Sequence, residues 1–296
     1  MPPHELVVPP GAAGERLDTW LGQAIGGASR SQAAGLIDAG AVRVDGEPRP
    51  KSHRLQGGER VTVAEAQRPV ETSTAGPAPS VAWENDDLLV IDKPAGLVVH
   101  PAPGHRGVTL VERLAGEAGA GWKPLAVHRL DRDTSGLMLV AKREDVRDEL
   151  QHLIRSRGLV REYMALAEGV LKSRSGTIDA PLGRGARDRT RMVVGGTRPR
   201  AARTHFEVER FLDGFTLVRV RLETGRTHQI RAHFAAIGHP LAGDRAYGGR
   251  PALGLERQFL HSARVAFAYS GAPAGVEVTS PLPRDLRAAL DAVTSR

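Results

Sequence analysis

His128-Arg129-Leu130-Asp131-Arg132-Asp133-Thr134-Ser135-Gly136 lies between two apolar runs, Leu125-Ala126-Val127 before it and Leu137-Met138-Leu139-Val140-Ala141 after it. Short apolar runs broken by Thr-Ser-Gly read as strand, turn, strand. The segment thus places a carboxylate among basic side chains on a loop that a sheet presents, and scaffolded loops are where chemistry concentrates. A carboxylate in ordinary surroundings is ionised at pH 7. Asp131 can then act as nucleophile, base or electrostatic anchor, or it can simply close an Asx turn. Turn-making is the role the pattern assigns to Asp133.

The sequence around this segment reads as mixed α/β with mostly antiparallel strands. Leu88 to Ile91 is a buried strand that ends at Lys93-Pro94, and Val108 to Leu114 is a helix capped near Thr109. Asp145 to Ile154 puts Val146, Leu150, Leu153 and Ile154 on one helical face. Arg161 to Ala167 is strand-like. Phe215 to Glu223 alternates, with Val218, Val220 and Leu222 on one side and Arg219 and Arg221 on the other. A final helix, Pro283 to Val293, buries Leu286, Leu290 and Val293.

Two further places carry chemistry. Gly225-Arg226-Thr227-His228-Gln229-Ile230-Arg231 opens a helix, with Thr227 as the expected N-cap and Gly238 beyond its end. Arginines at a helix N-terminus oppose the macrodipole, so an anion nearby is expected, either a phosphate or a carboxylate such as Asp131. Tyr163, in Arg161-Glu162-Tyr163, is one of three tyrosines; on a strand it also fits a plain core position.

Residues 65–80 lack hydrophobic periodicity and are rich in Pro, Ser, Thr and Gly, which marks a linker. The expected organisation is a small module over 1–66, a linker over 67–82 and a larger domain over 83–296. In the small module Leu17, Leu21 and Ile25 recur at helical spacing until Gly26-Gly27, and Ser29-Arg30-Ser31 opens a second helix. Val42-Arg43-Val44 is a strand, Asp45-Gly46 a tight turn and Arg60 to Val63 a later strand. Arg30, Arg43, Arg49, Lys51, His53 and Arg54 make one side basic.

Composition narrows the function classes. The 296 residues are 41% hydrophobic and 25% charged, ordinary for a globular chain. With no cysteine, disulfides, thiolate nucleophiles and cysteine-ligated metals are excluded. The eleven histidines are scattered; His128, His228 and His233 come nearest to a cluster, but His228 and His233 miss a shared helical face by one residue, so no metal is expected. There is no basic, apolar start and no run near the roughly 20 apolar residues a bilayer requires, and a cytoplasmic protein is expected. Net charge is +7, almost all of the positive charge being arginine, which suits phosphate and stacked bases. The Gly- and Arg-rich segment 183–204, with Arg184, Arg187, Arg189, Arg191, Arg198, Arg200 and Arg203, reads as a mobile loop or hairpin that binds phosphate and orders on RNA.

The small module resembles the S-four-like RNA-binding domain in its Arg-Leu-Asp start, Ser-Arg-Ser helix opening and Val-Arg-Val-Asp-Gly strand-turn. Five segments of the larger domain together resemble the pseudouridine synthases of the RluA-like branch. They are Asp92 to Pro101, His128 to Gly136, Arg161 to Tyr163, Glu223 to Arg231 and Gly238 to Asp244. His100-Pro101 and Tyr247-Gly248-Gly249 look most like the large-subunit ribosomal RNA enzymes of the RluD type. The resemblance implies an α+β fold, a catalytic domain of mixed, mainly antiparallel sheet with flanking helices behind the small α+β RNA-binding module. It implies Asp131 as catalytic aspartate, Tyr163 as the tyrosine against the target base and Arg231 as the basic partner of the aspartate. Arg129 matches the residue that fills the space of a flipped nucleotide. His128, Arg226 and Lys93, with Arg30 and Arg43 of the small module, are expected RNA contacts.

An isomerisation of uridine loses no group and changes no oxidation state, so no cofactor or metal is expected. The expected partner is RNA, ribosomal more than transfer RNA, with no membrane and a monomeric chain. A non-catalytic RNA-binding or ribosome-assembly factor would share every basic feature, but would gain nothing from a carboxylate set among phosphates.

Overall fold

The structure, a computed structural model, describes residues 4–25, 30–38, 40–63, 78–101, 107–119, 121–186 and 188–294. It divides into two compact units, residues 1–73 and 74–296.

In the first unit, β1 (His4–Val7), β2 (Val42–Val44), β3 (Glu47–Pro48) and β4 (Arg60–Val63) form an antiparallel sheet in the order β1-β4-β2-β3. Helices α1 (Leu17–Ala24) and α2 (Arg30–Asp38) bury Leu17, Leu21 and Ala33 with Val42, Val44 and Val61. Asp45 and Gly46 both take positive φ, 50° and 83°, the conformation of a two-residue turn whose twist matches its strands. Asp18 is buried and receives Arg16 at 2.9 Å and Arg30 at 3.1 Å. Arg16's hydrogen bond, more than Arg30's, holds the Asp18 carboxyl well below its usual range. Gly26-Gly27 and Ser29, expected to end and open the helices, lie outside the described residues.

In the second unit, β5 (Ser80–Glu84), β6 (Leu88–Lys93), β7 (Leu125–Ala126), β8 (Ser135–Ala141), β9 (Val160–Glu168) and β10 (Ser175–Asp179) come first along the main sheet. The small strands β11 (Leu182–Arg184), β12 (Met192–Val194) and β13 (Thr197–Arg200) follow, then β14 (Arg203–Leu212), β15 (Phe215–Leu222), β16 (Leu260–Tyr269) and β17 (Ala272–Thr279). The main sheet runs β10-β14-β15-β9-β16-β8-β6-β5, with β7 also on β8 and β17 on β16. Every pair is antiparallel except β8 with β16. That parallel contact covers two positions, His261 with Ser135 and Ser262 with Gly136. It requires a glycine: Gly136 has φ 107°, and a Cβ there would stand 2.2 Å from the Ser262 carbonyl oxygen.

The strand β8 is buried at all seven positions, as a strand covered on both faces must be. Met138 and Val140 join the core that holds α3 (Leu110–Ala118) and α5 (Gln229–Ala236). Leu137, Leu139 and Ala141 join the core under α4 (Glu144–Ser156). Helix α6 (Arg284–Thr294) packs Leu286, Leu290 and Val293 against Leu166 and Leu217. The expected cap of α3 is present as a full capping box between Thr109 and Glu112.

Two local expectations change, and the hairpin alternative for segment 183–204 is sharpened. The strand β5 begins at Ser80, inside the segment expected as linker, because Val81 and Trp83 pair with β6; residues 67–77 of that linker lie outside the described ones. Segment 183–204 is a small antiparallel sheet, β12-β11-β13, leading into β14, with Arg187 outside the described residues. The N-cap of α5 is His228, in the left-handed region at φ 54°, not Thr227.

Candidate active site

Three stretches converge on one cavity of about 620 Å³: the turn 128–134, the Arg161 and Tyr163 positions of β9, and residues 222–231 leading into α5, with Gln151, Ile154 and Arg155 of α4 at its side. Strand alternation explains why Arg161 and Tyr163 share it, since they are two residues apart on one face.

The turn carrying Asp131 is tied down through its main chain. The Thr134 N–H donates to the Asp131 carbonyl at 3.1 Å. The Arg132 carbonyl accepts from Lys93 Nζ and the Gly96 N–H, both at 2.9 Å. The Asp133 carbonyl accepts from Arg257 Nη1 at 3.0 Å, and Gln258 Nε2 donates to Thr134 Oγ1 at 3.1 Å. Asp133 itself pairs with Arg132, so the turn is closed by main-chain bonds and not by its side chain.

Asp131 faces the cavity and accepts from Arg231 Nη1 at 3.2 Å. Arg231 is fixed from behind: its Nε and Nη2 donate to Asp244 at 2.7 and 2.8 Å, a two-pronged pair with Asp244 only 2% exposed. Burial works against the charge of Arg231, and the hydrogen bonds and charge of Asp244 outweigh it, so its pKa is raised. The Tyr247 ring lies 4.9 Å from the guanidinium carbon. The Tyr247 hydroxyl accepts from the Met192 N–H and sits 2.9 Å from His228 Nδ1. The other ring nitrogen of His228, Nε2, is 3.9 Å from Asp131. Burial lowers the His228 pKa. Gln229 holds the turn before α5, accepting from the Arg226 N–H at 3.0 Å and donating to the Arg203 carbonyl at 3.0 Å.

The structure therefore brings Asp131, Arg231 and Tyr163 together. Tyr163 is 4% exposed, packed in the core and bordering the cavity, and burial raises its pKa. Arg129 is exposed and lines the cavity, as does Arg226, whose Nε donates to the Ala201 carbonyl. One expected RNA contact, Lys93, is corrected. Lys93 is 0% exposed, and its Nζ donates to the carbonyls of Pro94, Leu97 and Arg132; burial pushes its pKa down to about 7. Its donors are spent inside the protein. His128 accepts from the Leu139 N–H, and burial, with Arg161 beside it, lowers its pKa to about 3, so it offers RNA no cation. Arg30 and Arg43 belong to the first unit, where Arg30 is exposed beside Asp18 and Arg43 lies on the open face of β2.

Sequence reasoning missed Asp244, Tyr247 and Arg161 as parts of the site. Asp244 closes the segment Gly238 to Asp244, yet beside Gly243 it reads as a turn acid. Its partner is thirteen residues away and only the fold joins them. Among the described residues no cluster of His, Asp or Glu could hold a metal, and no helix is long and apolar enough to cross a membrane.

Comparison with known proteins bears on the chemistry. Residues 87–236 match the family model described as RNA pseudouridylate synthase, and residues 15–61 match the S4 domain. The chain belongs to the RNA pseudouridine synthases. It is 41% identical to an uncharacterized RNA pseudouridine synthase of Bacillus subtilis, with 92% of each chain covered. It is 40% identical to ribosomal large subunit pseudouridine synthase D of Nitrosomonas europaea, with 98% of this chain and 87% of that one covered. The structure of human RNA pseudouridylate synthase domain containing 4 matches with a TM-score of 0.59 at 25% identity, over 73% of this synthase and 93% of that chain. The synthase is thus an RNA-modifying isomerase with an S4 domain ahead of its catalytic fold.

Proposed function

We propose that this synthase converts uridines of large-subunit ribosomal RNA to pseudouridine, with Asp131 as nucleophile. Tyr163 offers the surface against which the uracil packs, Arg231 orients Asp131, and Arg129 fills the gap left in the RNA stack. The observation that carries this reading is the chain Asp131–Arg231–Asp244, which holds one carboxylate of the cavity in a fixed direction. Relatives named for the large ribosomal subunit, over nearly the whole length, support the choice of RNA.

A stacked uridine is out of reach, and flipping it out costs a few kcal/mol. Arg129, exposed at the rim, is placed to offset part of that cost by occupying the stack. In the reaction the N1–C1′ bond breaks and a C5–C1′ bond forms; C5 loses a proton and N1 gains one. Atoms and electrons balance without an oxidant. Attack on the anomeric carbon and attack on the uracil ring both start from the same ionised carboxylate, and the Arg231 guanidinium stabilises that charge while leaving one oxygen edge to the cavity. His228 Nε2 lies 3.9 Å from the same carboxylate, beyond hydrogen-bond distance.

The test is Asp131→Ala, assayed by tritium release from ring-labelled uridine in ribosomal RNA, with no release above background expected. Turnover like the wild type would remove Asp131 from its role. Mapping pseudouridines in a strain lacking the protein decides the substrate: missing sites in large-subunit RNA are expected, and sites missing from transfer RNA alone would overturn that choice.

A further inference from the structure

Arg161 is the one cavity arginine that is both buried and unpaired. It is 3% exposed, its Nε has no hydrogen-bond partner, and no acid pairs with it among the described residues. The other cations near the cavity are accounted for differently. Arg231 is shared between Asp131 and Asp244. Arg157 and Arg203 pair with Glu223, which also receives His205 at 2.7 Å, so the rim carboxylate is already neutralised. At α4, the N-cap residue Arg143 and Arg147 are paired with acids of that helix, whereas Arg155, which borders the cavity, is exposed and has no ion pair among the described residues.

A buried guanidinium without a counter-charge costs several kcal/mol of desolvation that nothing in the protein offsets. The fold nevertheless makes room for it. Gly225 lies against it, and a Cβ there would stand 2.9 Å from Arg161 Nη1. The neighbouring His128 Nδ1 is likewise shut off without a partner, so no acceptor is supplied on that side either. The side chain points to the face of β9 that carries Tyr163, one strand step away.

We infer that Arg161 binds a backbone phosphate next to the uridine being isomerised, with Arg155 as a second, solvent-exposed cation of the same site. The missing counter-charge is then brought by the substrate. RNA's only ordinary anion is the phosphodiester, and a guanidinium meets it through two parallel hydrogen bonds. This inference rests on Asp131 marking the reacting nucleotide. It also orders the binding: the anchor is deep beside Tyr163, so it engages only after the nucleotide has left the stack, and its effect belongs to the chemical step more than to initial RNA capture.

The experiment is a chemical double-mutant cycle with the full chain. RNA hairpins carrying a mapped target uridine are made with one neutral methylphosphonate linkage, either 5′ or 3′ of that uridine. Single-turnover rates are measured for the wild type, Arg161→Met and Arg161→Lys. For the wild type, one of the two linkages slows turnover roughly tenfold to hundredfold, the span of a charge-assisted hydrogen bond. In Arg161→Met, turnover of the unmodified hairpin falls by a similar factor and the same linkage has no further effect; Arg161→Lys recovers part of the rate. RNA affinity stays within about threefold. Because Arg161→Met removes an unpaired buried charge, its Tm equals or exceeds that of the wild type, which separates the loss from misfolding.

Equal slowing by the linkage in wild type and variant, or no slowing by either linkage, overturns the inference and would point instead to a contact with the uracil or ribose. Asp131→Asn run on the unmodified hairpin tests the underlying reading separately. If that variant turns over normally, the site reading fails, whatever the cycle gives.

Discussion

Asp244→Asn is the most informative perturbation of the site. Asp244 touches no cavity and is 2% exposed, yet it takes two of the guanidinium donors of Arg231, at 2.7 and 2.8 Å. The variant keeps the shape and one acceptor but loses the charge. Breaking a buried ion pair by removing one partner costs about 3–5 kcal/mol. With an amide oxygen left in place the lower end applies, so about 3 kcal/mol is expected, or a fall in Tm of roughly 6–12 °C for a unit of this size. The functional effect follows from direction. Freed from Asp244, the guanidinium can turn both prongs onto Asp131, which tightens that pair and ties up the proposed nucleophile. A loss of about 3 kcal/mol in the reacting geometry lowers kcat at least about a hundredfold, while RNA affinity, set by exposed arginines, stays within about threefold. The assay is tritium release under single-turnover conditions with RNA binding measured in parallel, at a temperature where the variant is folded. Turnover within threefold of the wild type in folded Asp244→Asn would refute the reasoning, and so would parallel loss of binding and turnover.

Other expectations follow from the same structure. Gly136→Ala should lose at least about 4 kcal/mol, because a Cβ would stand 2.2 Å from the Ser262 carbonyl oxygen, whereas Gly214→Ala, with φ 71° and nothing within 4 Å, should lose only about 1–2 kcal/mol; urea unfolding compares them, and equal losses would sink the argument from β8–β16 contact. Stability should also fall on acidification. Burial lowers the pKa of His128, His228, His233 and His261, that of His128 to about 3. In the window from about 6.5 down to 3 the unfolded chain binds more protons than the folded one, so stability is full above about pH 6.5 and is lost as pH falls; His128 alone accounts for about 2 kcal/mol by pH 5. A Tm that stays flat between pH 7 and 5 would contradict this.

Much of the fold was legible because period and punctuation are local. The alternation of Phe215 to Leu222 appears as buried Val218 and Val220 opposite exposed Arg219 and Arg221. Thr109 and Glu112 form the expected cap of α3, and Asp45-Gly46 turns as its residue types require. Where local signals misled, a longer-range contact had won. Thr227 is the better cap by type, but Gln229 bonds to Arg203 and Arg226 and moves the helix start to His228. Lys93 reads as a cation for RNA, but its ammonium donates to three loop carbonyls at once and is buried by them.

The sequence by itself determined that this is an α+β chain with a basic module ahead of a sheet domain, and that an acid on a turn between two strands is its distinctive group. These follow from spacing and residue type, which need no knowledge of distant neighbours. Only the tertiary structure decided what surrounds that acid. Arg231 lies a hundred positions from Asp131, and Asp244 a further thirteen. Arg161 is left without a partner by the way β9 meets the turn at Gly225. Pairing, burial and an absent counter-charge are relations between segments, and the chain acquires them only when the sheet brings those segments together.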